Sequence, residues 1–420
     1  MNRIVFFLFI TCIMLCVDAY FWQAFRVNIS NRSRSYFLIP TIYWSITIVS
    51  VIITFYGFKN FQQPSNSTLF TAIREIVFAL FFCKLVGVIP LLIDDLIRLA
   101  KLIYQLLTGM FSSSTEFKGS PITRLEFLKR AAVIFAGILF STLSWGVLFG
   151  RYNFKKHKVK VKLPRWPKSL SSFKVVQISD LHLGGFGSVK KLEEAIQLIN
   201  QEEADIVFFT GDLVNNFYWE ADPYIDSLKK IKSKHGIYSV LGNHDYSDYT
   251  GINKSTPEGK TQWQEHYNNM VNMHKQIGFN LLLNQHEEIT IDGEKINIVG
   301  VENWGNGNFS KYGDLNKAME LVNNKLPTLL LSHDPSHWEA KVQQHPKQID
   351  LQFSGHTHGM QFGIEIGKFK WSPAKWKYKQ WAGLYKNGAH NIYVNRGLGH
   401  LGYPGRVGIL PEIAIIEISS

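Results

Sequence analysis

The sequence predicts a layered α/β sandwich carried behind a bundle of about four membrane-spanning helices. Three observations lead there. First, four apolar stretches, Ile4–Phe21, Tyr36–Phe58, Ile76–Ile93 and Ala131–Phe149, are long enough to cross a bilayer, which takes roughly 17–25 residues. Second, beyond Ser172 short apolar runs alternate with amphipathic segments, as strands and helices do when stacked in layers. Third, five of those runs, VVQISDLH, IVFFTGD, YSVLGNHD, TLLLSHD and LQFSGHTHG, end on acidic, amide or imidazole side chains.

Composition supports a division into a transmembrane region (1–150), a basic juxtamembrane linker (151–172) and a globular domain (173–420). All 14 His lie beyond residue 150 and all 3 Cys before residue 84, which excludes a disulfide framework from the globular part. The net charge of +12 could suit nucleic acid, but much of it flanks the apolar spans, the usual pattern at a membrane surface. No duplex-sized basic stripe is evident, which argues against nucleic acid as a partner.

In the membrane part, Asp18 lies near the end of the first span and Lys84 inside the third. An intramembrane Lys either marks a functional site or faces the bundle or snorkels. Asp94–Leu107 has apolar residues at helical spacing with charges between them and reads as an interfacial helix, with a simple extension of the third span as the alternative. Loop charges nearly balance: Arg26, Arg32, Arg34, Arg98, Lys101, Lys118, Arg124, Lys129 and Arg130 stand on one side against Arg3, Lys59, Arg74 and the run Arg151–Lys168 on the other. That balance slightly favours a cytoplasmic domain. Thr123–Lys129 (TRLEFLK) resembles a twin-arginine export signal with Leu125 in place of the second Arg, and on that stretch an extracytoplasmic domain is expected. The protein is expected in the cell membrane as a multi-pass chain.

The linker, with 8 Lys or Arg, 2 Pro and no acidic residue, reads as a solvated tether, first as a charged linker with no specific partner and second as one attracted to anionic headgroups. Phe173–Ser179 then reads as a strand and Ser188–Glu203 as a helix, with Leu192, Ala195, Ile196 and Ile199 on one face. Ile206–Thr210 is a strand, Pro223–Lys234 a helix, Gly236–Leu241 a strand and Gln262–Ile277 a helix. Asn280–Asn284, Glu288–Ile291 and Lys295–Val301 read as antiparallel strands, with a hairpin turn at Asp292-Gly293. Thr328–Leu331, Ile349–Phe353, Ile392–Asn395 and Ile413–Ile418 complete the domain.

Function is expected on loops at the carboxyl ends of these strands. There lie Asp180, His182, Asp212, Asn243, His333, His356 and His358. A lone Asp after a strand is usually a helix cap, and a lone His usually a surface or core residue. Seven such groups, each at a strand end, point instead to metal binding. Carboxylate and amide oxygens mixed with imidazoles suit Mn, Fe or Zn, not a structural thiolate site. A pair of such ions clamps a phosphate for in-line attack, so the residues suggest hydrolysis of phosphate esters.

The motifs D-L-H (180–182), G-D (211–212), G-N-H-D (242–245), S-H (332–333) and G-H-T-H (355–358) resemble the calcineurin-like metallophosphoesterase superfamily over about Lys174–Ile418. The resemblance implies a four-layer α/β/β/α sandwich holding two divalent metal ions. Asp180, His182 and His358 would hold the first; Asn243, His333 and His356 the second; Asp212 would bridge them, and a hydroxide shared by the pair would attack phosphorus. It also implies that His244 protonates or stabilises the leaving oxygen, with Asp245 orienting its imidazole. Gly355–Gln361 (GHTHGMQ), Tyr393–Gly399 (YVNRGLG) and Arg406 resemble a narrower branch of membrane-anchored bacterial phosphodiesterases. Met360 stands where that branch usually has a second Gly, which would narrow the approach to the metals.

The expected substrate is a phosphate ester, a membrane-borne phosphodiester or pyrophosphate above others. One alternative is hydrolysis of a lipid-linked nucleotide such as UDP-diacylglucosamine, which requires a cytoplasmic site. Another is an inactive membrane scaffold or sensor, disfavoured because all seven ligand positions and His244 are filled. Lys368–Trp381 interleaves 5 Lys with Trp371, Trp376, Tyr378 and Trp381, a composition suited to an anionic lipid interface, to stacking on single-stranded nucleic acid, or to a structured loop.

Overall fold

The computed structural model describes residues 3–26, 35–59, 68–108, 124–307, 309–367 and 369–420. Arg32, Arg34 and Lys118 of the loop-charge balance, Thr123 of the export-like stretch and Lys368 lie outside these residues. The chain forms two compact units, Met1–Val147 and Leu148–Ser420.

Among the described residues the first unit contains four helices, α1 (Arg3–Phe25), α2 (Ser35–Lys59), α3 (Thr68–Thr108) and α4 (Arg124–Leu148). Each contains a stretch long and apolar enough to span a bilayer, as in a multi-pass membrane protein. Val17, Phe21, Tyr43, Val88 and Ala136 pack at its centre. Gly87 allows that packing, since a Cβ there would come within 2.7 Å of the Phe21 ring. Lys84 faces the bundle, paired with Asp18. The interfacial helix expected at Asp94–Leu107 is not separate: it continues α3, a single helix of 41 residues. Nothing between Ile93 and Asp94 breaks a helix, and Asp94 pairs with Arg98 one turn on, at 2.8 Å.

The second unit begins with β1 (Lys155–Lys162), β2 (Phe173–Ile178), α5 (Leu183–Phe186), α6 (Val189–Asn200), β3 (Ile206–Phe209), α7 (Ile225–Leu228) and β4 (Ile237–Ser239). It continues with α8 (Pro257–Ile277), β5 (Asn280–Leu281), β6 (Gln285–Ile291), β7 (Glu294–Val301), α9 (Leu315–Met319), β8 (Thr328–Ser332), α10 (Ser336–Ala340) and β9 (Leu351–Ser354). It ends with β10 (Ile364–Ile366), β11 (Phe369–Trp371), β12 (Gly383–Asn387), β13 (His390–Val394) and β14 (Glu412–Ser419). Two six-stranded sheets result, β1-β14-β2-β3-β4-β5 and β12-β13-β9-β8-β7-β6, beside the small hairpin β10-β11.

Strand periodicity places these sheets in the middle of four layers. Along β3, Ile206 and Phe208 face the other sheet, while Val207 and Phe209 face α6 and α8. In the second sheet Leu329, Leu331 and Phe353 face inward, while Leu330 and Ile392 pack under Ala318, Met319 and Trp338. Phe208 and Phe353 meet edge to face at 4.9 Å in the inter-sheet core; truncating either to Ala would cost about 3–5 kcal/mol. The architecture is the expected α/β/β/α sandwich. Helix α6 starts where the Ser188 side chain accepts from the Lys191 N–H at 3.2 Å. The β6–β7 turn has Asp292 and Gly293 both at positive φ, 49° and 83°, as a tight hairpin requires.

Three expectations need correction. Residues 155–162 are not a tether: β1 is an edge strand parallel to β14, in register from Lys155↔Glu412 to Lys162↔Ser419. Its Lys residues alternate with Val159 and Val161, which pack on the inter-sheet core, so charge density masked a period of two. Asn280–Asn284 does not join the antiparallel pair; β5 runs parallel to β4 in the other sheet, and only β6 and β7 form the hairpin. The helix expected over Pro223–Lys234 shrinks to a 3-10 turn, Tyr218–Tyr224, and the single turn α7. Ala221, Tyr224 and Leu228 already bury its apolar side.

Candidate metal centre

Strands β2, β3 and β4 run parallel, so their carboxyl ends share one edge; β8 and β9 do the same in the second sheet. Asp180, His182, Asp212 and Asn243 follow the first set, and His333, His356 and His358 the second. Cross-sheet hydrogen bonds hold the two edges together. The His356 N–H donates to Asp180 at 3.0 Å, Gln177 donates to the Ser354 carbonyl at 2.9 Å, and Asn395 donates to the Gln177 carbonyl at 3.1 Å.

Among the described residues two groups converge, Asp180–His182–His358 and Asp212–His333–His356, with the ligand-type atoms of each within 4.8 Å of one another. In the first, His182 Nε2 lies 3.0 Å from His358 Nε2, and His358 Nε2 3.2 Å from Asp180 Oδ1. In the second, His356 Nδ1 lies 3.3 Å from His333 Nε2 and 2.7 Å from Asn243 Oδ1, which brings Asn243 into the group. Asp212 Oδ2 touches both, 3.5 Å from His182 Nε2 and 3.2 Å from His333 Nε2. All seven residues are thus brought together.

The backbone is bent to achieve this. Asp180, His182, Asp212, His356 and His358 all have positive φ, from 47° to 70°, a sparsely populated region that concentrates at functional sites. Gly242 is required by close approach, since a Cβ there would lie 2.3 Å from Asp212 Oδ1. Met360 also sits at φ 48°, where glycine would be unstrained, and its side chain is exposed.

Neighbouring groups fix which ring nitrogen faces the centre. His333 Nδ1 lies 2.7 Å from the Thr210 carbonyl; donation there leaves the Nε2 lone pair for a cation. His356 Nε2 lies 2.8 Å from the Tyr378 hydroxyl and 3.4 Å from Asp334 Oδ2, leaving Nδ1 inward. Arg406, buried, is 3.3 Å from His358 Nδ1 and donates to the Gly399 carbonyl at 2.9 Å. Burial works to raise the Asp212 carboxyl, yet His333, His244 and His182 hold it well below its ordinary range. Burial would lower His333, but Asp212 lifts it well above the usual imidazole value. The site favours positive charge, and its oxygen and imidazole donors, facing one another at these distances, fit divalent cations.

His244 is half-buried beside the groups, its ring 5.0 Å from that of His182. Asp245 does not orient it. Its buried carboxylate instead accepts the backbone N–H groups of Asp212 (2.9 Å), Leu213 (2.8 Å), Val214 (3.2 Å) and Gly242 (2.9 Å). That ties the β3 and β4 loops together, and burial with the nearby Asp212 pushes the Asp245 carboxyl up to about 7. The imidazole is aligned by the Asn215 carbonyl, 2.7 Å from Nδ1, and packs on Tyr249 with centroids 4.7 Å apart. Sequence reasoning missed Asp334, Tyr249 and the positioning part of Tyr378. Asp334 stood in the S-H-D run and Tyr378 in the Trp/Lys segment, but the Thr210 and Asn215 carbonyls leave no trace in side-chain identity. The YVNRGLG stretch packs on the D-L-H loop: Gly399 donates to the Asp180 carbonyl at 2.8 Å, and a Cβ there would sit 1.9 Å from the Leu181 oxygen.

An α/β sandwich with such a centre, behind four membrane helices, defines a membrane-anchored metallophosphoesterase. The family model described as calcineurin-like phosphoesterase matches residues 173–360, and that described as probable calcineurin-like phosphoesterase, transmembrane domain, matches residues 2–151. The uncharacterized metallophosphoesterase YkuE of Bacillus subtilis (strain 168) is 30% identical over 311 residues, covering 71% of this chain and 98% of its own. A transmembrane protein with metallophosphoesterase domain from Danio rerio is 27% identical over 432 residues, 99% of this chain and 89% of its own. The phosphodiesterase YaeI of Escherichia coli (strain K12) is 25% identical over 261 residues, 62% of this chain and 87% of its own. The chain belongs to the calcineurin-like phosphoesterase family.

Proposed function

We propose that this protein is a phosphodiesterase acting on a membrane-borne phosphodiester or pyrophosphate with two divalent cations, Mn, Fe or Zn. Asp180, His182 and His358 would hold one cation, and Asn243, His333 and His356 the other. The observation that carries this reading is Asp212 Oδ2, placed within 3.5 Å of His182 and 3.2 Å of His333, where one carboxylate oxygen can serve both groups. When bound, such cations supply Lewis-acid polarisation of the phosphoryl group and activation of water.

The protein's own residues supply the rest. His244, with Nδ1–H committed to the Asn215 carbonyl and its ring 5.0 Å from that of His182, would use Nε2 to deliver a proton to the leaving oxygen or hydrogen-bond it. Asp245 acts on the backbone, keeping the Asp212 and Asn243 loops in register. Tyr378 and Asp334 hold the His356 ring. The export-like stretch at the start of α4 supports an extracytoplasmic catalytic domain.

The test is hydrolysis by the full chain in detergent, loaded with Mn, comparing bis-(p-nitrophenyl) phosphate with p-nitrophenyl phosphate. A higher kcat/KM on the diester is expected. A monoester preference would overturn the diesterase assignment, and no hydrolysis of either with metal bound would overturn the enzymatic reading.

A further inference from the structure

The hairpin β10–β11 and the turn after it are built inside out. Side chains alternate faces along a strand, so Ile364 and Ile366 share one face and pair across the ladder with Trp371 and Phe369. Glu365 and Lys370 occupy the other. Glu365 reaches Arg396 at 2.7 Å, and Arg396 is held by the buried Glu412 at 2.6 Å. Lys370 donates to the Ala382 carbonyl and lies 4.9 Å from the Tyr385 ring centroid. Charged residues thus hold the hairpin to the domain while its apolar residues face outward. Ile364 is 47% exposed, Ile366 73%, Phe369 62% and, on the next turn, Trp376 79%. Exposed apolar residues scattered singly are ordinary, but a cluster on one short segment marks a surface that something covers.

We propose that this segment docks on an anionic membrane leaflet, with Ile366, Phe369 and Trp376 entering the headgroup region and Lys375 facing lipid phosphates. The charge is complementary: Gly367–Trp381 has 5 Lys and no Asp or Glu, and Lys375 is exposed, while Lys377 Nζ lies over the Phe309 ring, 4.7 Å from its centroid. Trp beside Lys is the composition of membrane–water boundaries. Four candidate spans in the same chain ensure that a bilayer is present. Tyr378 follows Trp376 by two residues and hydrogen-bonds His356 at 2.8 Å. Docking therefore couples the leaflet to the centre and selects phosphoesters carried in the membrane, a consequence that rests on the proposed hydrolase although the docking itself does not.

The experiment uses the full chain in nanodiscs, with Cys12, Cys16 and Cys83 changed to Ala and the environment-sensitive dye NBD placed on Ile366→Cys. Emission at least about threefold higher in discs containing phosphatidylglycerol than in phosphatidylcholine discs is expected. Doxyl-labelled lipids should quench it, Lys375→Glu should sharply reduce the rise, and the dye on exposed Leu321→Cys should not respond. Equal emission in both discs, or emission untouched by doxyl lipid, overturns the proposal. So does a rise that appears only with several copies per disc, which would make a second copy the occupant. Hydrolysis of the soluble aryl diester, followed in the same samples, separates the two readings. Hydrolysis without the dye response overturns docking alone, whereas the dye response without hydrolysis supports docking and removes the hydrolase.

Discussion

In the membrane unit Lys84 lies against Asp18, whose carboxylate also accepts from Tyr43 at 3.3 Å, and Lys84 Nζ lies 4.5 Å from the Tyr43 ring centroid. In the α/β unit Asp180 and Asp212 lie against His182, His333 and His358, with two ring nitrogens only 3.0 Å apart. Both clusters are buried. In the first a cation meets an anion and a hydroxyl donates to the same carboxylate, so the group is neutral and closed. In the second, lone pairs from several loops are aimed at shared points. A buried polar cluster indicates a ligand when its acceptors face one another across shared points, and a structural lock when donors and acceptors cancel.

Three substitutions test that contrast. Asp212→Ala removes the oxygen shared by the two groups and should give the largest effect. Bound divalent metal, measured by elemental analysis of the purified chain, should fall, and hydrolysis should drop on the order of 10³-fold or more. Full metal content with near-normal turnover would place the centre elsewhere. His244→Ala should lower kcat by roughly 10²–10⁴-fold while leaving metal content intact; metal loss proportional to activity loss would make it a ligand instead. Lys84→Met should act only on stability, since it strands the Asp18 charge in the bundle at a cost of about 3 kcal/mol. Thermal unfolding in detergent should show the loss, with much of it recovered in Lys84→Met/Asp18→Asn, and kcat of the folded fraction should not change. A fall in kcat without a stability change would give the pair a functional role.

The candidate ligands could be found in the sequence because each sits just after a buried apolar strand, a short-range pattern set by the pleat and by where backbone pairing stops. Asp245 was harder. Its adjacency to His244 suggested that it orients the imidazole, whereas its carboxylate points back to collect four backbone N–H groups from two loops. Loop conformation, not sequence distance, decides that. β1 was hidden because Lys and Val alternate at such charge density that burial of Val159 and Val161 emerges only once β14 lies alongside.

The amino-acid order alone determined the membrane helices, the alternation of strands and helices, and the chemistry of the centre, since these depend on local periodicity and residue type. The tertiary structure decided what depends on residues far apart in the chain. It set the parallel placement of β5 beside β4, the meeting of Asp212 with His333, and the choice of ring nitrogen imposed by the Thr210 carbonyl and Tyr378. It also turned the apolar face of β10–β11 outward, because Glu365 found its partner in Arg396 and so fixed which side of the hairpin faces the domain.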